Sequence, residues 1–345
     1  SLLFIIDLMK RVGFILDARS IEELKDLAVA AEKANFHSVW ATELYRTPFQ
    51  QLSAIAPVTS EIKLGTAVAL AFVRSPLVTS ITSLDLDEIS SGRLILGLGT
   101  GAKRTNENFH GVFYGDRPVA RIRECVGLIR EILSEAHTGN DIVFEGQFYR
   151  VNTRGYKRAF EPIRQNIPIF VAGIGSNMVG AAAEIADGYM GHVVCSLEYI
   201  KRVVSPSLEE RLEKRRKNGD FTKCSIITCA VSHDWERARE AARATIAFYA
   251  TVKAYDPPFR LHSFTDEVKG IRDAFRRKDI RAMIKGVSDE MVEAFAVVGD
   301  AEHCRERVEE YRKYVDLPVL SAPHYFLDFR EVREYQERLI EAFAS

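Results

Sequence analysis

Residues 93–104 read Arg-Leu-Ile-Leu-Gly-Leu-Gly-Thr-Gly-Ala-Lys-Arg. The mostly apolar run Arg93 to Leu96 reads as a buried strand. Beyond it, Gly97, Gly99 and Gly101 alternate with Leu98 and Thr100, and Lys103 and Arg104 follow. Glycine at every second position leaves no side chain to pack, so a strand end of this kind lets something come close to bare backbone. The two cations beyond it point to an anion; a tight strand exit with glycines for packing is the plainer reading. The run is not a dinucleotide fingerprint, because its third glycine comes too early and no helix signal follows until about Pro118.

Working outward, similar strand signals recur on both sides of this stretch. Val12 to Leu16 ends at Asp17, Ser38 to Thr42 ends at Glu43, and Ile62 to Leu70 is nearly all small or β-branched. Downstream come Pro168 to Val171, then 188–194, 223–232 and 317–321. Helical patterns separate them. Ser20 with Glu22 and Glu23 opens one, Ser75-Pro76 another, with proline in the first turn where its missing N–H does no harm. Further helices are expected over 48–60, 118–136, 176–186, to about Lys217, 234–253, 300–314 and 329–343. Eight strands alternating with helices predict the α/β class and a (β/α)8 TIM barrel over residues 1–345 as one domain. Two insertions interrupt it: a β-hairpin within about 139–165, turning at Glu145-Gly146, and a polar helical stretch over about 255–292. The loop 100–117 is long enough to be functional.

Composition sets outer limits. The chain has 345 residues, 47% of them apolar, and a formal net charge of -1. A large core is therefore expected, and the interspersed charges argue against nucleic acid or a membrane surface as partner. Five scattered cysteines without a CxxC pair read as a reducing, cytoplasmic setting with no metal-ligand pattern. The apolar start, Ser1 to Asp7, is too short to span a bilayer, and Met9 is a possible natural start.

Barrels of this kind carry chemistry at the carboxyl ends of their strands. The positions to watch are Asp17, Glu43, Ala67 to Arg74, Gly99 to Arg104, Gly173 to Met178, and His192 to Cys195. Residues 169–180, Ile-Phe-Val-Ala-Gly-Ile-Gly-Ser-Asn-Met-Val-Gly, run a buried strand into a helix start. Free N–H groups there, with the helix dipole, suit an anion, and the glycines let a phosphate approach. An ordinary strand-to-helix turn is the alternative. A Rossmann reading fails, because no acid ends the next strand, which runs to His192 and Val193. His110, Trp235, His262 and His324 have no local context that lifts them above a structural role.

Several stretches together resemble the luciferase-like flavin and deazaflavin oxidoreductases. They are Ile62-Lys63-Leu64-Gly65-Thr66-Ala67-Val68 with Arg74-Ser75-Pro76, Ser91-Gly92-Arg93 through Gly101, Pro168 through Met178, Ala186-Asp187-Gly188, and Asp289-Glu290-Met291 through Gly299. The similarity is greatest to the branch that uses coenzyme F420, an 8-hydroxy-5-deazaflavin, and that includes the methylene-tetrahydromethanopterin reductases. The resemblance implies a bulged third strand with a cis peptide bond at Ala67-Val68 behind the ring. It implies phosphate binding by backbone N–H groups at Gly175, Ser176, Asn177 and Met178, with Gly173 beside them as a further coenzyme-binding position. Thr100 and Lys103 are carried over as further coenzyme contacts, the latter toward the anionic tail. Glu43 and His192 are the catalytic candidates, Glu43 to orient the ring or shuttle a proton.

Two departures stand out. Leu44 occupies the place of a histidine that follows the acid in many relatives, and Ala102 replaces an acid of the methanopterin reductases. The implied function is hydride transfer between coenzyme F420 and an unidentified small molecule entering between loop 100–117 and the insertion 259–292. An FMN-dependent monooxygenase and a non-catalytic flavin-binding barrel are the alternatives. The resemblance also implies a homodimer or larger homo-oligomer.

Overall fold

The structure is a computed structural model that describes residues 12–215 and 220–345. The expectations placed on Ser1 to Asp7, on Met9 and on the helix end near Lys217 lie outside the described residues. The chain forms a closed (β/α)8 barrel. Its parallel strands are β1 (Gly13–Leu16), β2 (Ser38–Ala41), β3 (Lys63–Thr66), continued by β4 (Ala69–Leu70), and β5 (Leu94–Gly99). After the hairpin β6 (Val143–Glu145) and β7 (Arg150–Asn152) come β8 (Ile169–Ala172), β9 (Gly188–Gly191), β10 (Thr222–Val231), β11 (Ala296–Gly299) and β12 (Leu317–Ser321). The ring closes as β12–β1–β2–β3–β5–β8–β9–β10 and back to β12.

Local chemistry explains the helix boundaries. Ser20 accepts from the Glu23 N–H and Ser75 from the Val78 N–H, each satisfying a donor the helix itself cannot pair. Thr47, Asp234, Ser288 and Asp300 do the same for later helices. Apolar stripes such as Leu24, Leu27, Ala28 and Ala31 then seat the helices on the strands.

The apolar pattern alone misses two features, of which the first, the bulged third strand with its cis bond at Ala67-Val68, is the one the resemblance implied. The expected continuous strand Ile62 to Leu70 is broken. Gly65 stands opposite Ile95, but Ala69 stands opposite Leu98, so Thr66, Ala67 and Val68 share the space of Leu96 and Gly97. That is a one-residue bulge, and the Ala67-Val68 bond within it is cis. The second difference is β11, a strand that falls just past the expected insertion. It pairs with the outer half of β10, where Thr228 meets Ala296 on one edge and Ser321 on the other. Four residues gave too short an apolar run to separate from the neighbouring helices.

The insertion is helical, with helices Asp256–Leu261, Thr265–Arg276, Ile280–Lys285 and Asp289–Phe295. It is not a loose flap: Val268, Ile271, Met283 and Met291 are buried in the same apolar cluster as the barrel interior. That interior centres on Trp40, fully buried, with its Nε1–H donating to Ser38 Oγ at 2.7 Å. A Cβ on Gly65 would lie 2.1 Å from the Trp40 ring, so glycine there makes room for the indole. Ile15, Ile95, Phe170, Met190 and Val319 complete this plug beneath the barrel mouth.

Candidate active site at the barrel mouth

The carboxyl ends of the strands surround a cavity of about 280 Å³. Asp17, Thr42, Glu43, Ala67, Val68, Leu70, Gly101, Ala102 and His192 line it, joined by Ile226, Tyr249, Tyr255 and His324. A larger lobe of about 600 Å³ adjoins it, reaching outward past Arg19, Arg46, Phe326, Phe329 and Val332.

One wall is the bulged third strand laid against β5. A Cβ on Gly97 would sit 1.9 Å from the Thr66 carbonyl oxygen, on Gly99 2.5 Å from Val68, and on Gly101 2.7 Å from Leu70. The close approach expected of this glycine run is therefore made by neighbouring polypeptide, not by an anion. Thr66 Oγ1 donates to the Gly97 carbonyl at 2.6 Å, and the Ala71 N–H to the Gly99 carbonyl at 2.9 Å. Glu43 fastens the far side of the bulge. Its Oε2 accepts from the Leu70 N–H at 2.7 Å and from Arg74 Nη1 at 2.9 Å, and its Oε1 accepts from Arg74 Nη2. The pair is largely removed from water, with 6% of the Glu43 side chain exposed and 18% of Arg74. So the expected catalytic acid is a bidentate clasp whose three polar contacts hold β4 to the end of β2.

Behind the loop, Asn106 is fully buried. Its Nδ2 donates to the carbonyls of Thr100 and Ala102, and its Oδ1 has no hydrogen-bond partner. Thr100 is held by the Tyr114 hydroxyl at 3.1 Å and does not line the cavity. Lys103 faces solvent, 64% exposed, and lies 3.8 Å from Glu107.

The opposite wall begins at β8 and β9. Gly175 caps the helix Ser176–Ile185 with extended backbone and no side-chain cap bond. Its carbonyl accepts the N–H groups of Met178 and Val179. A Cβ on Gly175 meets nothing within 4 Å, and Gly175, Ser176 and Asn177 are exposed. Gly173 differs, since a Cβ there would strike Met178 at 2.6 Å. Tyrosines anchor this turn from beneath: the Tyr189 hydroxyl donates to the Gly173 carbonyl at 2.7 Å and Tyr199 to the Ile174 carbonyl at 3.0 Å. Across a trans peptide, an inward carbonyl sends the following N–H outward. The N–H groups of Ile174 and Gly175 thus join the start of the helix in facing away from the core.

His192 ends β9. Its ring lies 4.4 Å from Tyr255 and 4.8 Å, edge to face, from Tyr249. Burial alone pushes its imidazole down to about 3, so it is neutral at ordinary pH. Nδ1 accepts from the Val194 N–H, at 3.4 Å, leaving the proton on Nε2. Burial also raises the hydroxyls of Tyr249, Tyr325 and Tyr255, the last up to about 12. These groups give the mouth neutral donors. Asp17 is the exception. Burial raises its carboxyl, while His324, the Ala18 N–H and Arg46 act the other way.

A luciferase-like monooxygenase family model matches residues 4–316. The chain belongs to the luciferase-like monooxygenase family. Relatives at the sequence level include the 5,10-methylenetetrahydromethanopterin reductase of Archaeoglobus fulgidus, 31% identical over 84% of this chain and 86% of that one. A putative coenzyme F420-dependent oxidoreductase of Mycobacterium tuberculosis is 28% identical over 82% and 85%. The F420-dependent tetrahydromethanopterin reductase of Methanopyrus kandleri has the same fold, with a TM-score of 0.79 and 23% identity over 96% and 99% of the two chains.

Within this luciferase-like barrel, the structure brings Glu43, Ala67, Val68 and His192 to one cavity. Gly173 to Met178 form an uncapped turn on the adjoining strand end, and Thr100 and Lys103 stand apart from the cavity lining. The aromatic group Phe248, Tyr249, Tyr255 and Tyr325 went unread in the sequence, because it comes from a helix end and two loops rather than from strands. His324 was also passed over, although it lies three residues beyond the end of β12, where the strand-end rule applies. The residues present fit a phosphorylated flat ring: small Ala67 and Val68 line one side, and an open glycine turn with outward N–H groups lies on the other. Among the described residues, no group of three or more His, Cys, Asp or Glu is placed to hold a metal ion, and no helix is long and apolar enough to cross a membrane.

Proposed function

We propose that this chain catalyses hydride transfer between coenzyme F420 and a small organic molecule. The reading is carried by one juxtaposition: a mouth lined by small and neutral groups, with an uncapped, glycine-opened helix start on the adjacent wall. Similarity over 82% of the chain to a putative coenzyme F420-dependent oxidoreductase supports the choice of coenzyme. When bound, the deazaflavin supplies a carbon-centred hydride donor or acceptor.

The chain's own residues do the rest. Ala67 and Val68 back the ring, and the N–H groups of Gly175, Ser176 and Asn177 hold its phosphate, the Met178 N–H being engaged by the Gly175 carbonyl. His192, neutral through Nε2–H, donates a hydrogen bond within the mouth. Glu43 acts by holding the ring's backing strand in place. Lys103 and Thr100 reach the coenzyme only through its tail. We extend the reading to the whole chain as one barrel domain, working in the cytoplasm as a homodimer or larger homo-oligomer.

Fluorescence titration with coenzyme F420 and with FMN tests the assignment. Saturable binding of the deazaflavin at one site per chain is expected. Tight binding of FMN with none of F420 would replace it with the monooxygenase reading. Bound, reduced coenzyme that no acceptor reoxidises would leave a binding barrel.

A further inference from the structure

The cavity at the strand ends and the outer lobe meet along a seam. Leu16, Asp17, Thr42, Tyr45, Phe248, His324 and Tyr325 line both. Beyond the seam the outer lobe is walled by rings. Phe248 stacks on Tyr325 with centroids 3.6 Å apart and planes 10° from parallel, and Phe326 meets Phe248 edge to face. Tyr45, Phe326 and Phe329 are exposed at its rim, an apolar edge that no element among the described residues covers. The reading of the inner cavity as the coenzyme site, on which this inference rests, assigns no task to this larger space.

His324 has a fixed protonation pattern. Its Nδ1 lies 3.0 Å from the Ala322 carbonyl oxygen. A carbonyl can only accept, so Nδ1 carries the hydrogen and Nε2 is left to take up and release a proton. Its backbone N–H is held by Thr245 Oγ1 at 3.3 Å, which fixes the loop that carries it. Asp17, at the end of β1, is close enough for its charge to be felt by the ring.

We propose that the outer lobe is the acceptor subsite, that it takes an uncharged planar carbonyl compound with an aromatic or apolar body, and that His324, held by the Ala322 carbonyl and Thr245, is the proton donor to that compound. Aromatic walls suit a flat apolar body. Of the lobe's cations, Arg46 faces the Asp17 carboxyl and donates from Nη2 to the Arg19 carbonyl at 2.7 Å, so it is engaged within the protein. The chemistry balances. A hydride adds to the carbonyl carbon, the π pair moves to oxygen, and that oxygen takes the proton from Nε2. The hydride source, the reduced deazaflavin, is oxidised as the carbonyl is reduced to an alcohol. Nε2 is reprotonated from solvent. The groups facing Asp17 are His324, Arg46, Tyr249 and Tyr325, together with the Ala18 N–H; the tyrosines stay neutral.

The test uses 2-naphthaldehyde as probe and pyruvate as an anionic aliphatic control. Binding is followed by equilibrium dialysis on the full chain, with and without coenzyme F420. Naphthaldehyde is expected to bind at one site per chain and pyruvate not at all. Ala18→Phe, which fills the lobe, and Phe326→Ala, at its exposed rim, should each weaken the probe at least tenfold and leave coenzyme affinity within twofold. His324→Gln should weaken probe binding less than the two lobe variants do. It should slow reoxidation of reduced coenzyme by the probe about a hundredfold and remove the ionisation that wild type shows in that rate. Probe affinity unaffected by both lobe variants, or pyruvate preferred, would overturn the subsite. A wild-type rate and pH profile in His324→Gln would overturn the proton role. If the chain binds no F420 at all, the coenzyme reading fails, while the dialysis on the coenzyme-free protein still decides the lobe.

Discussion

Two walls of the barrel mouth carry glycine-rich strand ends, and they use glycine for opposite purposes. On the β3–β5 wall, Gly97, Gly99 and Gly101 are occupied: the bulged third strand presses into the space their side chains would take. On the β8 wall, Gly175 is open, with nothing within 4 Å of the missing Cβ. Glycine in a sequence announces a close approach. It does not say whether the visitor is the protein itself or a ligand. The difference turns on a partner strand more than 25 residues away, which local pattern does not reveal.

The sharpest way to break this contrast is to add one methyl group to the filled wall. Gly97→Ala places a carbon 1.9 Å from the Thr66 carbonyl oxygen, and that oxygen belongs to backbone that cannot rotate aside. β3 and β5 must separate. Overpacking of this kind costs about 3 kcal/mol, and the expected outcome is a large drop in the urea midpoint, or loss of soluble protein. A midpoint within error of wild type would mean that the bulge is soft and the wall is not filled as described.

The clasp behind the same wall comes next. Glu43→Gln keeps the size of the side chain but leaves the Arg74 guanidinium without its carboxylate in a mostly buried place. Removing one partner of a buried pair costs roughly 3 kcal/mol. Stability and coenzyme affinity should fall together in Glu43→Gln, and Arg74→Met, which leaves the carboxylate alone, should lose both as well. If Glu43→Gln lost turnover while keeping stability and affinity, Glu43 would be a proton carrier rather than a clasp.

On the open wall the expected effect depends on pH. His192 has its folded value depressed to about 3 from an ordinary 6.5, because burial disfavours the charged ring. The unfolded chain therefore takes up the proton first as pH falls. The ring's contribution to stability is whole above about pH 6.5 and is lost progressively below it, amounting to about 2 kcal/mol by pH 5. Urea melts at pH 8 and pH 5 measure the difference, and His192→Gln should lose less stability between them than wild type. Equal losses in the two proteins would show that water reaches the ring.

These contrasts mark how far the sequence could be read. The eight ring strands were legible because each is a short apolar run between capped helices, and the caps at Ser20 and Ser75 fall where their side chains predicted. The identity of the mouth followed, since strand ends are where such barrels gather side chains. Contacts were not legible. Glu43 and Arg74 are 31 residues apart, joined by a bidentate pair that no spacing rule anticipates. His324 and the rings of Phe248, Tyr249 and Tyr325 meet only when loop and helix end fold over the barrel. The bulge came from the resemblance and not from the local pattern: it is a one-residue mismatch in register between β3 and β5, and register belongs to pairs of strands.

The smallest structural change tests the open wall most directly. Gly175 has φ −68° and ψ 146°, which alanine adopts without penalty, and its Cβ would enter empty space. Gly175→Ala should therefore change stability by less than about 0.5 kcal/mol. Yet that empty space is where a phosphate would approach the outward N–H groups, and a methyl group there would hold the oxygens away from donors that need contact within about 3 Å. Coenzyme affinity should fall about tenfold by fluorescence titration while the urea midpoint stays put. The filled wall would then lose its fold to one methyl group, and the open wall only its ligand. Unchanged affinity in Gly175→Ala would mean that the phosphate lies elsewhere, and that the open glycine serves only to start the helix.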